Sequence, residues 1–225
     1  MNQPISEHPK ENYHAFITTN LQASEAPDRI IQMYEPFYQF IQQLLPEFKI
    51  DLMLVAPLLK SREVRKGEFL FQKGDICEFV GFTLKGCLRT FVIKDGKEYT
   101  IFFHPEHQTF GDYESFQKHK PSCFSCQAIE DSSILIFDRQ AMRFFEEAPG
   151  GQKFLRLVAE DLAFMLRDKL LSLFMDTPEE RYLNLLTTEP QLLQRIPQYY
   201  LASYLGIEPE SLSRLKRRVH QRRNS

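Results

Sequence analysis

The spacing of hydrophobic residues changes twice along the chain and divides it into a helical, a strand-rich and a second helical region. From Asp28 apolar residues recur every three or four positions, which predicts an amphipathic helix, and a short helix is expected around Ile50 to Leu59. Between Glu63 and Asp138 the period falls towards two, and glycines stand where turns are needed. The helical period then returns, so the chain is predicted to be an α+β protein.

The strand-rich region predicts a rolled or closed β-structure. Its short runs of β-forming residues are Phe69–Gln72, Phe79–Leu84, Leu88–Ile93, Tyr99–Phe103 and Ser133–Phe137. The dipeptide Asp95-Gly96 is typical of a tight hairpin. This spacing predicts a β-roll or barrel. Its interior either encloses a ligand or is filled by the roll's own phenylalanines, which are Phe69, Phe71, Phe79, Phe82, Phe91, Phe102 and Phe103.

A long helix is predicted up to about Met175, after a short helix from Arg139 to Glu147. Residues that step by four and three form a possible two-helix seam, namely Ala159, Ala163, Leu166, Leu170 and Leu173. A second apolar stripe contains Leu155, Val158, Leu162 and Met165. A helix with two apolar faces has to bury both, so we expect one face on its own domain and the other on a second copy. A central helix buried within one chain is the alternative.

The last fifty residues predict a helix-turn-helix. Thr177, Pro178 and Glu180 form a capping box that starts one helix, which stops before Pro190. A helix from Gln198 to Leu205 is followed by Gly206 and by a second helix from Pro209 to about His220. A short helix, a glycine turn and a basic second helix are typical of a motif that enters the major groove of DNA.

Positive charge is concentrated in that second helix, although the whole chain has a formal net charge of −2. No acidic residue follows Glu210, whereas six basic residues do: Arg214, Lys216, Arg217, Arg218, Arg222 and Arg223. Such a cluster attracts phosphate. A solvated basic tail is the alternative interpretation.

The 225 residues suffice for one large domain or two modest ones, and 43% of them are hydrophobic. No apolar run has the length that a bilayer requires, and the first residues lack a secretory pattern, so we expect a cytoplasmic protein without a membrane partner. The cysteines, at positions 77, 87, 123 and 126, are expected to be free thiols.

Sequence motifs of the common enzyme classes are absent: no dinucleotide or phosphate loop, no HExxH and no GxSxG. His104 and His107 flank Pro105-Glu106, and we interpret them as residues of a surface turn because no third metal ligand stands nearby. We therefore predict a protein that is not an enzyme and has neither a metal nor a cofactor.

The segment ASYLGIEPESLSRLKRR, from Ala202 to Arg218, resembles the helix-turn-helix of the Crp/Fnr family of bacterial transcription factors, and the resemblance extends back to about Asp28. It implies a double-stranded, jelly-roll-like β-roll of the cyclic-nucleotide-binding type, a long dimerisation helix and a carboxyl-terminal helix-turn-helix domain. The implied division is a loosely ordered extension (1–27), the roll with its flanking helices (28–148), the dimerisation helix (149–175) and the DNA-binding domain (176–225). Only seven residues follow Arg218, so a full wing is not expected.

In that family a short cassette binds a cyclic nucleotide through a Gly-Glu pair and an Arg-Ser pair. The corresponding residues here are Gly111 with Asp112, and Ser122 with Cys123. Ser122 replaces the arginine, so Lys118 or Lys120 would have to supply the phosphate's counter-charge. We therefore disfavour a cyclic nucleotide and leave the small-molecule effector unidentified. An iron–sulfur cluster is not expected either, because no cysteine precedes Cys77.

The resemblance places Glu210 and Arg214 at base-reading positions, with Pro209 in place of a third, and it implies double-stranded DNA, a second copy of the chain and RNA polymerase as partners. Gln198 and Tyr199 suit phosphate contacts. The expected DNA-facing set is Gln198, Tyr199, Glu210, Ser211, Arg214, Lys216, Arg217 and Arg218. The rival hypothesis is a ligand- or partner-binding module without sequence-specific DNA function.

Overall fold

The computed structural model of the chain describes residues 27–223. The extension predicted for residues 1–27 lies outside this range apart from its last residue. In chain order the elements are α1 Pro27–Leu44, α2 Leu52–Val55, a 3-10 turn Ala56–Leu58, β1 Lys60–Val64, β2 Phe69–Phe71, β3 Val80–Lys85, β4 Leu88–Lys94, β5 Lys97–His104, β6 Thr109–Phe110, α3 Tyr113–Lys118, β7 Ser125–Ala128, β8 Ser132–Phe137, α4 Arg139–Glu147, α5 Gly151–Met175, α6 Pro178–Thr188, α7 Pro190–Arg195, α8 Gln198–Leu205 and α9 Pro209–Arg223.

The strands form two four-stranded antiparallel sheets, in the orders β1-β8-β3-β6 and β2-β7-β4-β5. The predicted β-roll is confirmed, and each of the five predicted strands lies within two residues of its observed bounds. The strands that sequence reasoning missed are β1, β6 and β7. Both β1 and β6 lie at a sheet edge, and β7 is polar, so none of them carries a clear apolar alternation.

The hairpin predicted at Asp95-Gly96 is confirmed, and it joins β4 to β5. Both residues have positive φ, at 52° and 74°. Two successive positive φ values are the mark of the type I′ turn, whose twist matches that of the flanking strands. The turn also sets the β4–β5 register, in which Lys94 lies opposite Lys97.

Helices cover the outer face of the first sheet with an aromatic core. Phe37 of α1 is buried, and its ring centroid lies 5.2 Å from that of Phe82, 4.9 Å from that of Phe137 and 6.0 Å from that of Phe145. Phe154 at the start of α5 completes this cluster against Phe145. The amino-terminal part of the long helix is therefore anchored on the roll.

The alternative in which seven phenylalanines fill the roll holds for only some of them. Phe82 faces α1, Phe103 packs against the carboxyl-terminal helices, and Phe69 is 38% exposed. Successive strand residues point to opposite faces, and both faces are covered here. The interior is instead filled by a mixed set of smaller and aromatic side chains, which are Val64, Leu70, Phe71, Leu88, Phe110, Cys126, Ala128 and Ile134.

The carboxyl-terminal region forms a separate helical core. The predicted capping box is present, because Thr177 Oγ1 accepts from the Glu180 amide at 3.2 Å while the Thr177 amide donates to Glu180 Oε2 at 2.7 Å. Helices α8 and α9 follow the prediction, except that α9 continues to Arg223. The short α7 was missed, because six residues are too few to show a period. The core of this region contains Tyr182, Leu185, Leu192, Leu193, Ile196, Leu201, Ala202, Leu205, Leu212, Leu215 and Val219.

The four cysteines are free thiols. Cys77, Cys87 and Cys126 are buried, while Cys123 lies at the surface just before β7. Burial raises the pKa of Cys87 to about 12, which keeps that thiol protonated at neutral pH. Within residues 27–223, no helix combines the length and the apolar character needed to cross a membrane.

His104 ends β5 and is buried, so its expected place in a surface turn was wrong, whereas His107 is exposed. The Nδ1 atom of His104 lies 3.1 Å from the Thr109 carbonyl oxygen, and its Nε2 lies 3.3 Å from Thr90 Oγ1. A carbonyl can only accept, so Nδ1 carries the proton and Nε2 accepts from the threonine. Burial lowers the pKa of His104 to about 4.

We expect His104 to make the fold sensitive to mild acid. The unfolded chain takes up a proton as the pH falls below 6.5, whereas the folded chain does so only near 4. The neutral, buried His104 therefore stabilises the folded chain above pH 6.5. This contribution to the free energy of unfolding is lost as the pH falls from 6.5 to about 4. From pH 7 to pH 5 the loss amounts to about 2 kcal/mol. Denaturant unfolding at both pH values measures it.

The variant His104→Asn retains an N–H donor for Thr109 but does not titrate, so its free energy of unfolding should fall less between the two pH values. His119→Asn is the matched control, because His119 is exposed and has a φ of 54° that asparagine tolerates. Equal pH dependence in the wild type and in His104→Asn would contradict the assignment.

Candidate nucleic-acid interface and ligand cassette

Helices α8 and α9 are joined by a rigid glycine turn. Gly206 has φ 73° and ψ 30°, a left-handed conformation that a side chain disfavours. The Ile207 amide donates to the Ala202 carbonyl at 3.0 Å, which closes the end of α8. Ile207 is half-buried against the helical core. The angle between the two helices is therefore set by backbone hydrogen bonds and by packing.

The outer face of α9 carries three of the predicted DNA-facing residues. Leu212 and Leu215 are buried and hold the opposite face on the core. At 100° per residue, Glu210, Arg214 and Arg217 lie on the side away from them, and all three are exposed. Arg214 Nη2 also donates to Ser211 Oγ at 3.2 Å.

The remaining predicted residues of α9 lie on its flanks. Arg218 Nη2 and Arg222 Nη1 contact the two carboxylate oxygens of Glu179 at 3.0 and 2.6 Å. Lys216 is half-buried, and burial lowers its pKa. Arg218 and Lys216 therefore project less freely than Glu210, Arg214 and Arg217 do.

Two predicted residues lie at the start of α8. Gln198 is exposed, and Tyr199 is 51% exposed. The next residue, Tyr200, turns back towards the roll. The first turn of α8 thus presents polar groups to solvent on one side and contacts the β-roll on the other.

A buried arginine, Arg89 of β4, joins the roll to the helix-turn-helix. Its guanidinium carbon lies 4.0 Å from the ring centroid of Phe91 and 3.6 Å from that of Tyr200. Its Nη2 lies 2.6 Å from Glu98 and 2.7 Å from Gln127 Oε1. Only 1% of this side chain is exposed. Sequence reasoning missed it, although a charged residue within the apolar run of β4 is the signal that would have indicated a special site.

Helix α8 also docks on the edge strand β5. Ser203 Oγ donates to the Glu98 carbonyl at 2.8 Å and accepts from the Thr100 amide at 2.8 Å. Lys97 in the same hairpin pairs with Glu208, the residue before α9. Edge-strand backbone groups, which water or another strand would otherwise satisfy, are used here to position helices α8 and α9.

Two further contacts lie on either side of this interface. Arg195 of α7 pairs with Glu106, with two bonds of 2.8 Å, and with Glu130, and these carboxylates raise its pKa. The Nζ atom of Lys169 in α5 lies 3.3 Å from the ring centroid of Tyr204. Burial, with a smaller effect from Arg181, lowers the pKa of Lys169 to about 8. These contacts depend on tertiary structure, and the sequence offered no signal for them.

In the predicted ligand cassette, two side chains bond to each other. Asp112 caps α3 by accepting from the Ser115 amide at 3.0 Å, and its other carboxylate oxygen accepts from Ser122 Oγ at 2.8 Å. Both side chains are buried. Gly111 precedes them with a φ of 139°, while Cys123 points to the surface. Three of the four predicted residues therefore come together, and Cys123 lies apart from them.

Neither candidate lysine approaches this pair. Lys118 bonds Glu114 at 2.8 Å, and Lys120 lies 3.9 Å from the same carboxylate. All three side chains are about 60% exposed. The cassette thus places the uncharged Ser122, which donates to Asp112, where the family has the arginine that attracts the phosphate.

The predicted seam residues of α5 face solvent in the single chain. Leu166, Leu170 and Leu173 are 48, 55 and 51% exposed, and Ala159 and Ala163 are exposed beside them. Near its amino terminus the helix therefore buries Phe154 and packs Leu155 and Val158 on the roll's core, and it leaves a second apolar face open. Contiguous apolar surface of this kind marks an interaction site on a soluble protein.

In the described part of the chain, no three histidine, cysteine or acidic side chains come together as possible metal ligands. His104 and His107 are directed to different places, one into the roll and one to the surface.

Comparison with known proteins supports this organisation. The cyclic nucleotide-binding domain family matches residues 61–147, from β1 to the end of α4. The transcriptional activator protein anr of Pseudomonas aeruginosa is 27% identical, and the match covers 72% of this chain and 71% of the activator.

Solved structures share the fold. FixK2 from Bradyrhizobium japonicum has a TM-score of 0.62 at 20% identity, covering 73% of this chain and 85% of its own. A CooA mutant from Carboxydothermus hydrogenoformans has a TM-score of 0.61 at 16% identity, covering 80% and 84%. The matched roll domain, the related activator and the shared architecture therefore make the chain similar to transcriptional regulators of the Crp/Fnr type.

Proposed function

We propose that the protein is a dimeric, sequence-specific DNA-binding regulator whose β-roll serves as a sensor domain. The observation that supports this most strongly is the outward face of α9, where Glu210, Arg214 and Arg217 project from a helix held by its own core. Regulators of this family bind DNA and typically act as dimers. No catalytic role is proposed for any residue.

Base reading is assigned to the amino-terminal half of α9. Arg214 has the planar fork that bonds two acceptors of guanine, and Glu210 accepts from the amino group of cytosine. Arg217, Gln198 and Tyr199 are assigned to phosphates, which fix the register without reading the sequence. Lys216, Arg218 and Ser211 lie on the flanks, so their contacts depend on how deeply the helix enters the groove.

A second copy of the chain is the proposed partner of the open face of α5. Two α5 helices that pack along Ala159, Ala163, Leu166, Leu170 and Leu173 would bury the exposed leucines of both chains. A twofold pair of recognition helices can then occupy half-sites one helical turn apart. RNA polymerase is a further proposed partner, as the relationship to a transcriptional activator suggests.

The sensor is proposed to respond to something other than a cyclic nucleotide bound in the usual way. Asp112 and Ser122 satisfy each other, and Lys118 and Lys120 are turned outward. A cyclic phosphate would have to break the Asp112–Ser122 bond and be buried without a counter-charge, which is costly.

A module without sequence-specific DNA function is the second candidate. The pairing of Arg218 and Arg222 with Glu179 favours it, because Glu179 occupies two cations that phosphate would otherwise attract. The two hypotheses differ in what the exposed residue Arg214 does.

We expect Arg214→Ala to weaken binding to the preferred site by about 10- to 100-fold and to relax the preference at one base pair. The DNA would be the fragments that the purified protein selects from its own genome, and binding would be titrated at several salt concentrations. Arg143→Ala, which removes an exposed arginine of α4, is the matched control and should leave binding unchanged.

A uniform loss of affinity for all sequences would make Arg214 a phosphate contact. Absence of salt-dependent DNA binding by the wild type would favour the second candidate.

We expect Leu166→Glu to convert the dimer into a monomer, because two like charges would face each other in an apolar seam. Sedimentation velocity measures the change. Phe164→Glu places the same charge on an exposed aromatic residue outside the seam and should leave the dimer intact. A wild type that sediments as a monomer, or a Phe164→Glu variant that alone dissociates, contradicts the seam.

We expect cyclic AMP and cyclic GMP at about 1 mM to shift the melting temperature by less than about 1 °C. The reason is the closed Asp112–Ser122 pair and the outward lysines. A preferred DNA fragment in the same thermal assay is the positive control. A rise of several degrees with either nucleotide would contradict this prediction.

A further inference from the structure

An apolar cavity of about 160 Å³ lies between the roll and the long helix α5. Its roll side is formed by Val80, Gly81 and Phe110, and its helix side by Val158 and Leu162. Aromatic side chains of α1, β8 and α4 form the floor. The cavity is distinct from the Asp112–Ser122 pair, whose polar atoms do not line it.

One wall of the cavity depends on Gly81, which no residue with a side chain can replace without a clash. A Cβ at Gly81 would lie 2.2 to 2.8 Å from the ring of Phe110. Glycine at the second position of β3 therefore lets the Phe110 ring approach the strand closely and form one wall. This close approach is a built feature of the roll, since glycine otherwise weakens a strand interior.

The few polar groups at the cavity are already satisfied or lie near its surface. His104 uses both ring nitrogens, on Thr109 and Thr90, and burial keeps it neutral by lowering its pKa to about 4. Tyr113 is 49% exposed, and its hydroxyl accepts from Gln117 Nε2 at 3.1 Å. Among these groups the cavity thus offers no buried charge, and both ring nitrogens of His104 are already hydrogen-bonded, so the cavity selects against ionic molecules.

The volume of the cavity limits the size of the ligand. An apolar protein cavity of roughly 150 Å³ holds a benzene-sized molecule, whereas sites for drug-sized ligands measure roughly 300 to 1,000 Å³. A space of about 160 Å³ therefore matches a single aromatic ring or an apolar molecule of similar size. The ring-rich lining favours an aromatic occupant, because offset and edge contacts between rings add to simple burial.

We propose that this cavity is a binding site for a compact, uncharged, single-ring aromatic molecule. The site is the apolar space that Gly81, Phe110, Val158 and Leu162 line between the roll and α5, and it opens to solvent at Leu162, which is 41% exposed. Binding itself does not depend on any DNA function.

Its position also connects the site to the seam. Ala159, a seam residue, lines the cavity together with Val158 and Leu162 on the same helix. A bound ring therefore contacts the segment of α5 that places the partner chain, and we expect it to change the affinity for DNA. This regulatory part rests on the proposed function.

Binding is tested on the full-length protein with toluene and phenol as probes. Thermal melts should rise by about 3 °C at ten times the dissociation constant. In a methyl-labelled sample, the NMR signals of Val158, Leu162 and Met165 should shift, whereas those of Leu171 and Leu173, farther along the helix, should not.

Val158→Phe fills the cavity and should weaken binding of both probes at least tenfold. Leu171→Phe makes the same type of change on the exposed part of α5 away from the cavity and is the matched control. Circular dichroism and melting of the unliganded variants check that they fold. Leu162→Phe, at a position that is 41% exposed, is the second filling variant if Val158→Phe is unstable.

Three results would overturn the site. One is the absence of binding by the wild type. Another is tighter binding of dodecanoate than of toluene, which would assign the cavity to an acyl chain. The third is binding of the probes by the Leu166→Glu variant but not by the wild type. That result would show that a side chain of the partner subunit fills the cavity in the dimer. Failure of the protein to bind DNA would remove the regulatory part and leave the binding result standing.

Discussion

The organisation of this protein depends on burying one apolar face of α5 while the other remains available. Phe154, Leu155 and Val158 pack into the aromatic core that α1 and α4 form on the roll. The helix is thereby anchored at its amino-terminal end, while Leu166, Leu170 and Leu173 stay in contact with water. Exposing so much apolar surface is unfavourable, and the same free energy that folds the core favours association of two such helices.

The helix-turn-helix is attached to the roll by a different kind of contact. Its docking surface uses the stacked guanidinium of Arg89, the Ser203 hydroxyl on the β5 edge, and the Arg195 pairs with Glu106 and Glu130. The Arg195 network is partly exposed, so water can replace it at modest cost. Arg89 differs because it is buried, and undocking Tyr200 would expose its guanidinium to solvent. The helix-turn-helix is therefore positioned mainly by polar contacts and one stacked cation.

The roll has the fold of the matched domain family, but its cassette residues differ from those that bind a cyclic nucleotide in that family. The match to the cyclic nucleotide-binding family covers residues 61–147, but Asp112 and Ser122 of the cassette bond to each other. The apolar cavity lies beside them and uses Gly81 to admit the Phe110 ring. The same fold can carry different ligand chemistry, because the strands are held by backbone hydrogen bonds that do not depend on the few side chains lining a site.

The sequence by itself determined the elements whose cause is local: the type I′ hairpin at Asp95-Gly96, the capping box at Thr177, the period of α5 and the glycine turn before α9. The edge strand β1 and the short helix α7 were missed, because neither has a period long enough to read. Tertiary structure alone decided that Arg218 pairs with Glu179, that Arg89 stacks on Tyr200 and that Asp112 bonds Ser122. Those contacts join residues 10 to 111 positions apart, and the physical reason they could not be predicted is that side-chain type and local spacing carry no information about which distant groups folding brings together.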